Sequence, residues 1–370
     1  MNTKLSHSQV NRFSMCPKSY YFHYIEKLRP ITTTGALLFG SALDAALNSV
    51  LLGKTDAEAV FEQSFTHQKI NDVETYLPTS EFIIYANNDM DIDLLTEEDF
   101  ISIEKKVEEN AIQRCDNYIS TYQTLKKKKS EKGFDCLSLN EKRTMNLLNW
   151  LSMRRKGFLM LKAYAKKVMP RFNTVHEVQL SINLENGSGD SVIGFVDLVA
   201  DVKGHGTVIL DNKTASRAYE SDSVRTSAQL SLYLHALQDK YPTRKAGYIV
   251  LNKQLIKNRV KICSKCGNDG SGARHKTCDA MVGGERCHGS WKETIAPEVD
   301  VQFIIDTIPE RVENLVIENI DATNQAIKSG IFVRNLNNCQ NWFGGKCPHF
   351  DVCYKGKETN LCRVKGSGKT

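Results

Sequence analysis

The sequence has no apolar run that approaches the length of a membrane-spanning helix, which needs about 20 apolar residues. Its opening, MNTKLSHSQV, is polar and lacks the hydrophobic stretch of a secretion signal. The expectation is a cytoplasmic protein without a membrane partner. Internal repeats and low-complexity linkers are also missing, which excludes solenoid and largely disordered architectures. Neither sign of charge dominates: 49 Lys and Arg stand against 43 Asp and Glu, for a net charge of +6. So mild a basic excess is compatible with nucleic acid without demanding it. Disulfides are not expected among the 11 cysteines, because a chain without a signal peptide meets reducing conditions. Eight of them fall in two groups in the C-terminal half, a distribution that points to metal sites.

Several helices are legible. Ser6 and Gln9 form a capping-box pattern that starts a helix, with Val10 and Phe13 on its apolar face. Cys16-Pro17 interrupts it, and an aromatic helix with Tyr20, Tyr21, Phe22 and Tyr24 follows. Thr34 to Leu52 is a third, capped by Thr34 and ended by Gly53. Asp44 lies within this nearly all-apolar run, where an unpaired carboxylate is costly to bury; a solvated helix edge and a functional position are equally open there. Residues 54–170 are mostly helical in pattern, with an acidic loop from Asp89 to Asp99 and the lysine run Lys126–Lys129. Leu147 to Met169 is amphipathic and is stopped by Pro170.

The pattern then changes period. Val178, Leu180, Ile182 and Leu184 alternate with polar residues, as in a half-buried strand. Asn186-Gly187 is a hairpin turn signal. Strands over Val192–Ala200 and Thr207–Leu210 complete an antiparallel meander, with Asp197 inside the second and Asp211 at the end of the third. Alternation puts Asp211 and Lys213 on one face. A helix over Ser223–Asp239 places Gln229 and Tyr233 four apart, on one side. Strands at Lys245–Asn252 and Arg259–Ile262 follow, then a long helix or helix pair over Val299–Lys328, ended by Gly330. The last forty residues are loop-like.

Asp197, Asp211 and Lys213 point to one chemistry. Phosphodiester cleavage needs charge neutralised at the phosphate and a deprotonated water. Carboxylates are the ligands that Mg and Mn prefer, and a lysine beside them orients the water or stabilises developing charge.

These pieces resemble the RecB-type branch of the PD-(D/E)XK nuclease superfamily, which includes CRISPR-adaptation nucleases and many phage exonucleases. LSHSQVNRFSMCPKSYYFHY resembles its opening, GFVDLV the strand of the first acid, LDNK the strand of the second acid and the lysine, and QLSLY its Q-x-x-x-Y helix. The resemblance implies an α/β fold with a restriction-endonuclease-like core, a central mixed sheet flanked by helices. It implies a Mg- or Mn-dependent DNA exonuclease of recombination, repair or phage DNA metabolism, in a bacterial cell or an infected host, with recombination or replication proteins as partners. Asp197 and Asp211 would hold the metal, Lys213 would assist the water, and Gln229 and Tyr233 would support the site or the DNA. Where the family has G-x-x-x-H, this chain has Gly40 followed by Asp44, an oxygen ligand that still suits Mg or Mn. Glu177 is a candidate accessory acid. The alternative to an exonuclease is a non-cleaving DNA-binding or assembly factor on a nuclease scaffold, and an RNA substrate also stays open.

The cysteine groups raise separate questions. Cys263, Cys266, Cys278 and Cys287 suit a structural tetrahedral zinc, with His275 and His288 as possible substitutes. The surrounding segment, 257–295, is poor in large apolar residues, as in a small zinc-ribbon-like insertion that folds around metal. For Cys339, Cys347 and Cys353 the family resemblance implies a 4Fe-4S cluster shared with Cys16, stapling the two chain ends; a zinc there stays open. Cys362 is a spare or substitute ligand, while Cys115 and Cys136 have no sequence partners. The organisation expected is one nuclease domain over 1–370. It carries a helical insertion at 54–170, a zinc-binding insertion at 257–295 and a cysteine-rich segment at 335–365.

Overall fold

A computed structural model of the chain describes residues 4–30, 35–66, 68–70, 73–75, 124, 127–128, 153–185, 190–268, 270, 275–340, 346–358 and 361–363. Strand β1 (Lys4–Ser6) leads directly into helix α1 (His7–Met15). The capping box is formed: Gln9 N donates to Ser6 Oγ at 3.3 Å, and Ser6 N to Gln9 Oε1 at 2.7 Å. Pro17 sits in the first turn of α2 (Pro17–Tyr20), where a missing N–H does no harm, and the chain continues as a π-helical turn over Tyr21–Ile25. Strand β2 (Leu28–Pro30), α3 (Gly35–Leu51) and α4 (Ala57–Thr66) follow, then a small hairpin of β3 (Gln68–Ile70) and β4 (Val73–Thr75). Gly53, at φ +68°, ends the α3 segment. Helix α5, residues 153–163, passes into a π turn at Tyr164–Val168 and a 3-10 turn at Met169–Arg171.

The sheet is built from β5 (Phe172–Glu185), β6 (Ser191–Val202), β7 (Gly206–Ala215), β8 (Lys245–Cys263) and β11 (Trp291–Thr307), with β1 at one end. Strands β9 (Met281–Val282) and β10 (Glu285–Arg286) form a small ribbon between β8 and β11. Helices α6 (Ala228–Leu237), α7 (Glu310–Lys328) and α8 (Phe350–Lys355) and strand β12 (Leu361–Arg363) complete the order. Helices α3, α4 and α5 pack on one face of the sheet through Phe39, Leu43, Phe61 and Met160. Helices α1, α6 and α7 pack on the other through Phe13, Leu230, Leu234 and Ile320. The sheet is mixed and flanked by helices, as expected.

Several element boundaries differ from the sequence reading. β7 runs on to Ala215, because Ile209–Ala215 pair in parallel with Ala246–Asn252 of β8, so Asp211 lies inside the strand rather than at its end. The two short strands expected at Lys245–Asn252 and Arg259–Ile262 are one 19-residue strand. Val299–Thr307 is strand, not helix: Val299, Val301, Phe303 and Ile305 alternate onto the α3 side, and the helix starts only after Pro309. Helix α6 begins at Ala228 rather than Ser223, since the Ser227 hydroxyl caps it by accepting from Leu230 N at 3.1 Å. The C-terminal segment is not all loop; β12 pairs with β2. The Thr34 cap, the Asp89–Asp99 loop, Cys115, Cys136, Lys126, Lys129 and the Asn186-Gly187 turn lie outside the described residues.

β6 changes partner along its length. On one edge, Leu198–Val202 pair with β7, whereas Ser191–Ile193 pair with β1. Gly194–Asp197 belong to neither pairing, so β6 and β7 part there as a fork. The strand also exchanges faces at this point. Val192 and Val196 pack on the α6 side, but Leu198, Ala200 and Val202 pack on the α3 side. β5 makes the same exchange between Leu180 and Val178. Gln179 lies between them, across from Asp197, with φ at +52°.

Candidate active site

Asp211 and Lys213 point from β7 toward α6. Asp211 is 1% exposed. Its Oδ1 accepts from Gln229 Nε2 at 2.8 Å, and the Lys213 ammonium lies 2.5 Å from its Oδ2. That Oδ2 is buried and takes no hydrogen bond of good geometry. Lys213 Nζ donates to Gln229 Oε1 at 2.9 Å, and the same Gln229 Nε2 also donates to the Tyr233 hydroxyl at 2.8 Å. One amide thus holds the lysine with its carbonyl and the acid and the phenol with its NH2. The four residues expected together from β7 and α6 are brought together.

Asp197 approaches from β6 across the fork, its Oδ2 accepting from the backbone N of Asn212 at 2.9 Å. Burial, with the Asp211 and Asp44 charges added, lifts its carboxyl to a pKa of about 8. Asp44 reaches the same place from α3. Gln179 Nε2 donates to its Oδ2 at 3.3 Å and Oδ1 at 3.5 Å, and burial followed by the Asp211 charge raises its pKa. Burial raises Asp211 as well, against the pull of Lys213. Burial works against the Lys213 ammonium, but the Asp211 carboxylate outweighs it and the net shift is upward. Three carboxylates from β6, β7 and α3 therefore repel one another in a low-dielectric corner with one lysine between them. Hard oxygen donors gathered in one buried corner suit a divalent cation such as Mg or Mn. A cleft of about 540 Å³ opens beside them, lined by Leu37, Ser41, Asp44, Asn212, Lys213 and Lys253.

Other contributors carry no sequence signal that would have found them. Gln179 is an ordinary strand residue until its backbone is seen. Tyr164, fully buried, donates to Asn212 Oδ1 at 3.1 Å and props the stretch of β7 whose Asn212 N–H holds Asp197. His7 lies close enough to Lys213 for that charge, after burial, to lower its pKa. Glu177 is not part of the site: it pairs with Lys240 and accepts from Tyr241 at 3.0 Å.

Both cysteine groups are gathered, with different spacing. The Sγ atoms of Cys263, Cys266, Cys278 and Cys287 all lie within 4.8 Å of one another, with Cys263–Cys287 at 3.5 Å and Cys266–Cys278 at 3.6 Å. A zinc–sulfur distance of about 2.3 Å sets tetrahedral edges of roughly 3.8 Å, so the four fit one zinc ion. Neither His275 nor His288 joins the group. Cys263 is drawn down to about 6, chiefly by the Cys266 backbone N–H. Near the chain ends, Cys16 Sγ accepts from Asn335 N at 3.5 Å, Cys353 Sγ from Arg334 Nε at 3.1 Å, and Cys347 N donates to Cys339 O at 2.9 Å. Burial raises the Cys347 thiol, with Cys16 and Cys339 adding to it. These four do not close into a group as tight as the zinc-type site. Cys362 lies on β12 against Arg29 O at 3.6 Å.

Carboxylates and a lysine meet at a fork in a mixed sheet, a donor set that could hold a divalent cation. A family model described as the PD-(D/E)XK nuclease superfamily matches residues 4–79 and 103–354, and the chain belongs to that superfamily. Its members cleave nucleic acid with divalent metals. A search of curated proteins returned no match. No helix among the described residues is long and apolar enough to cross a membrane.

Proposed function

We propose that the protein is a Mg- or Mn-dependent deoxyribonuclease of the RecB type, acting as an exonuclease in recombination, repair or phage DNA metabolism. The observation that carries the reading is the Gln229 amide, which ties Lys213, Asp211 and Tyr233 into one arrangement. A lysine placed only for stability would not need its ammonium aimed between a buried acid and a neutral acceptor. The cysteine-proline opening and the gathering of Cys16 with Cys339, Cys347 and Cys353 support the RecB-type assignment.

Asp44, Asp197 and Asp211 would hold the ion, and Gln179 orients Asp44. A bound divalent ion supplies Lewis-acid charge neutralisation at the phosphate and eases deprotonation of water. Lys213 stays protonated at neutral pH, so it serves as a fixed positive charge that orients the attacking water and stabilises the charge developing on the phosphate. The zinc-type cysteines have a structural role at the far end of β8 and β11, and the cluster would join the chain ends.

End-labelled single- and double-stranded DNA, incubated with Mg or Mn, tests the reading. Asp211→Ala and Lys213→Ala should each abolish cleavage while circular dichroism shows a folded protein. Full activity in both variants would sink the assignment, and internal rather than terminal products would remove the exonuclease part.

A further inference from the structure

Phe195 lies two residues before Asp197 on β6 and is 59% exposed, and Ile193 beside it is 41% exposed. Large apolar side chains on a strand are ordinarily turned into a core. The orientation here is fixed by its neighbour. A Cβ on Gly194 would point at Ile182 and at the Tyr233 ring, 3.6–3.7 Å away, which is the α6 side. Alternation then sends Phe195 to the opposite face, the α3 side, where Asp44 stands. No ring among the described residues packs against it.

β8, on the far side of β7 from β6, carries a second oddity. The pairing of β8 with β11 jumps from Leu251↔Val301 to Leu255↔Val299, so residues 252–254 bulge against Asp300 alone. Bulges beside active sites re-aim side chains, and this one turns Lys253 into the cleft with Asp44 and Lys213. Lys253 lies 5.6 Å from the centre of the Phe39 ring and pairs with no carboxylate among the described residues. β6 and β8 flank β7, roughly 10 Å apart where all three strands pair and farther apart at the fork. An exposed aromatic on β6 and a half-buried cation on β8, with no carboxylate partner among the described residues, thus stand on the sheet face that carries Asp44.

We propose that Phe195 is a base-stacking platform. The base of the nucleotide next to the scissile phosphate lies on its ring, while a phosphate of the same strand rests on Lys253. Stacking is indifferent to base identity, because every base has a π-face, but it requires a base free of its duplex partner. The site then selects for an unpaired strand at the point of cutting, either single-stranded nucleic acid or a frayed duplex end. The inference rests on the nuclease reading above.

Binding of a short labelled single-stranded DNA to the full-length protein in EDTA, read by fluorescence anisotropy, tests it without cleavage. Phe195→Ala should weaken binding about tenfold, the value of one base–aromatic stack, and Phe195→Trp should bind as the unchanged protein does. Moving one abasic nucleotide along the DNA should reveal a position that weakens the unchanged protein by the same factor and Phe195→Ala no further. Lys253→Ala should reduce the dependence of affinity on salt by about one phosphate contact. A neutral Phe195→Ala, or abasic and Phe195→Ala losses that simply multiply at every position, would overturn the platform while leaving the nuclease reading intact. An unchanged protein that neither binds nor cuts any nucleic acid would overturn both.

Discussion

The side-chain amide of Gln179 donates to both carboxylate oxygens of Asp44, at 3.3 and 3.5 Å, from a backbone held at φ +52°. A glutamine in the left-handed region costs about 1–2 kcal/mol. It occurs where β5 exchanges one sheet face for the other, directly across from Asp197. Replacement by glycine should relieve the backbone and leave the carboxylate loose. Gln179→Gly is expected to raise the melting temperature of the metal-free protein. Its affinity for Mn, read by calorimetry, should fall about tenfold or more, as for other groups that orient a metal ligand. Higher stability with unchanged Mn affinity would show that Gln179 does not orient Asp44.

Burial, with the Asp211 and Asp44 charges added, pushes the Asp197 pKa up to about 8 from its ordinary 3.8. At neutral pH it holds a proton that an incoming cation must displace. Apparent metal affinity should therefore rise with pH, by up to about tenfold per unit below pH 8, and then level off. The same shift acts on stability. A folded pKa above the unfolded one stabilises the protein fully below pH 3.8, and that contribution is lost as pH rises through 8. Melting of the metal-free protein should fall between pH 7 and pH 9, and Mg should restore more stability at pH 9 than at pH 6.

Gln229 and Tyr233 should not be equivalent. Gln229 holds Lys213 directly, whereas Tyr233 only accepts a bond from Gln229. Gln229→Ala should lower kcat about tenfold to a hundredfold with little change in KM, as expected when a positioned charge is released. Tyr233→Phe removes one hydrogen bond worth about 1 kcal/mol and should cost less than tenfold. Steady-state kinetics of both variants checks the order.

The two cysteine groups should respond separately. Cys266→Ser should abolish zinc content measured by mass spectrometry and loosen the end of the β8–β11 hairpin. The main melting transition should remain, because the sheet core ends well before Cys263. Cys353→Ser should remove any brown colour from anaerobically purified protein and leave the zinc in place. A protein that is colourless throughout would remove the iron–sulfur cluster.

The sequence made the chemistry legible and much of the geometry illegible. Asp197, Asp211, Lys213, Gln229 and Tyr233 were readable because they sit in short ordered motifs with the right residue types. Asp44 was readable as an anomaly, since a carboxylate in an apolar helix demands a partner. Phe195 was hidden inside an apolar strand motif, where nothing marks which alternate residue faces solvent. Lys253 and Gln179 depend on a bulge and a face exchange, which arise from the pairing of distant strands and leave no local periodicity. The long strand over Val299–Thr307 merged with the following helix because both are apolar at similar density, and only Pro309 separates them.

The fork in β6 also sets the order in which the protein can become active. Its edge is completed by β1 at Leu5, its acids come from α3, β6 and β7, and its neighbouring strand β8 follows α6. A ribosome adding about 5–20 residues per second releases Leu5 long before Val192, its partner, exists. The opening strand must wait, unpaired, until most of the chain has emerged. Such long-range pairing slows folding, and here it leaves the edge of the fork incomplete until Val192 has emerged.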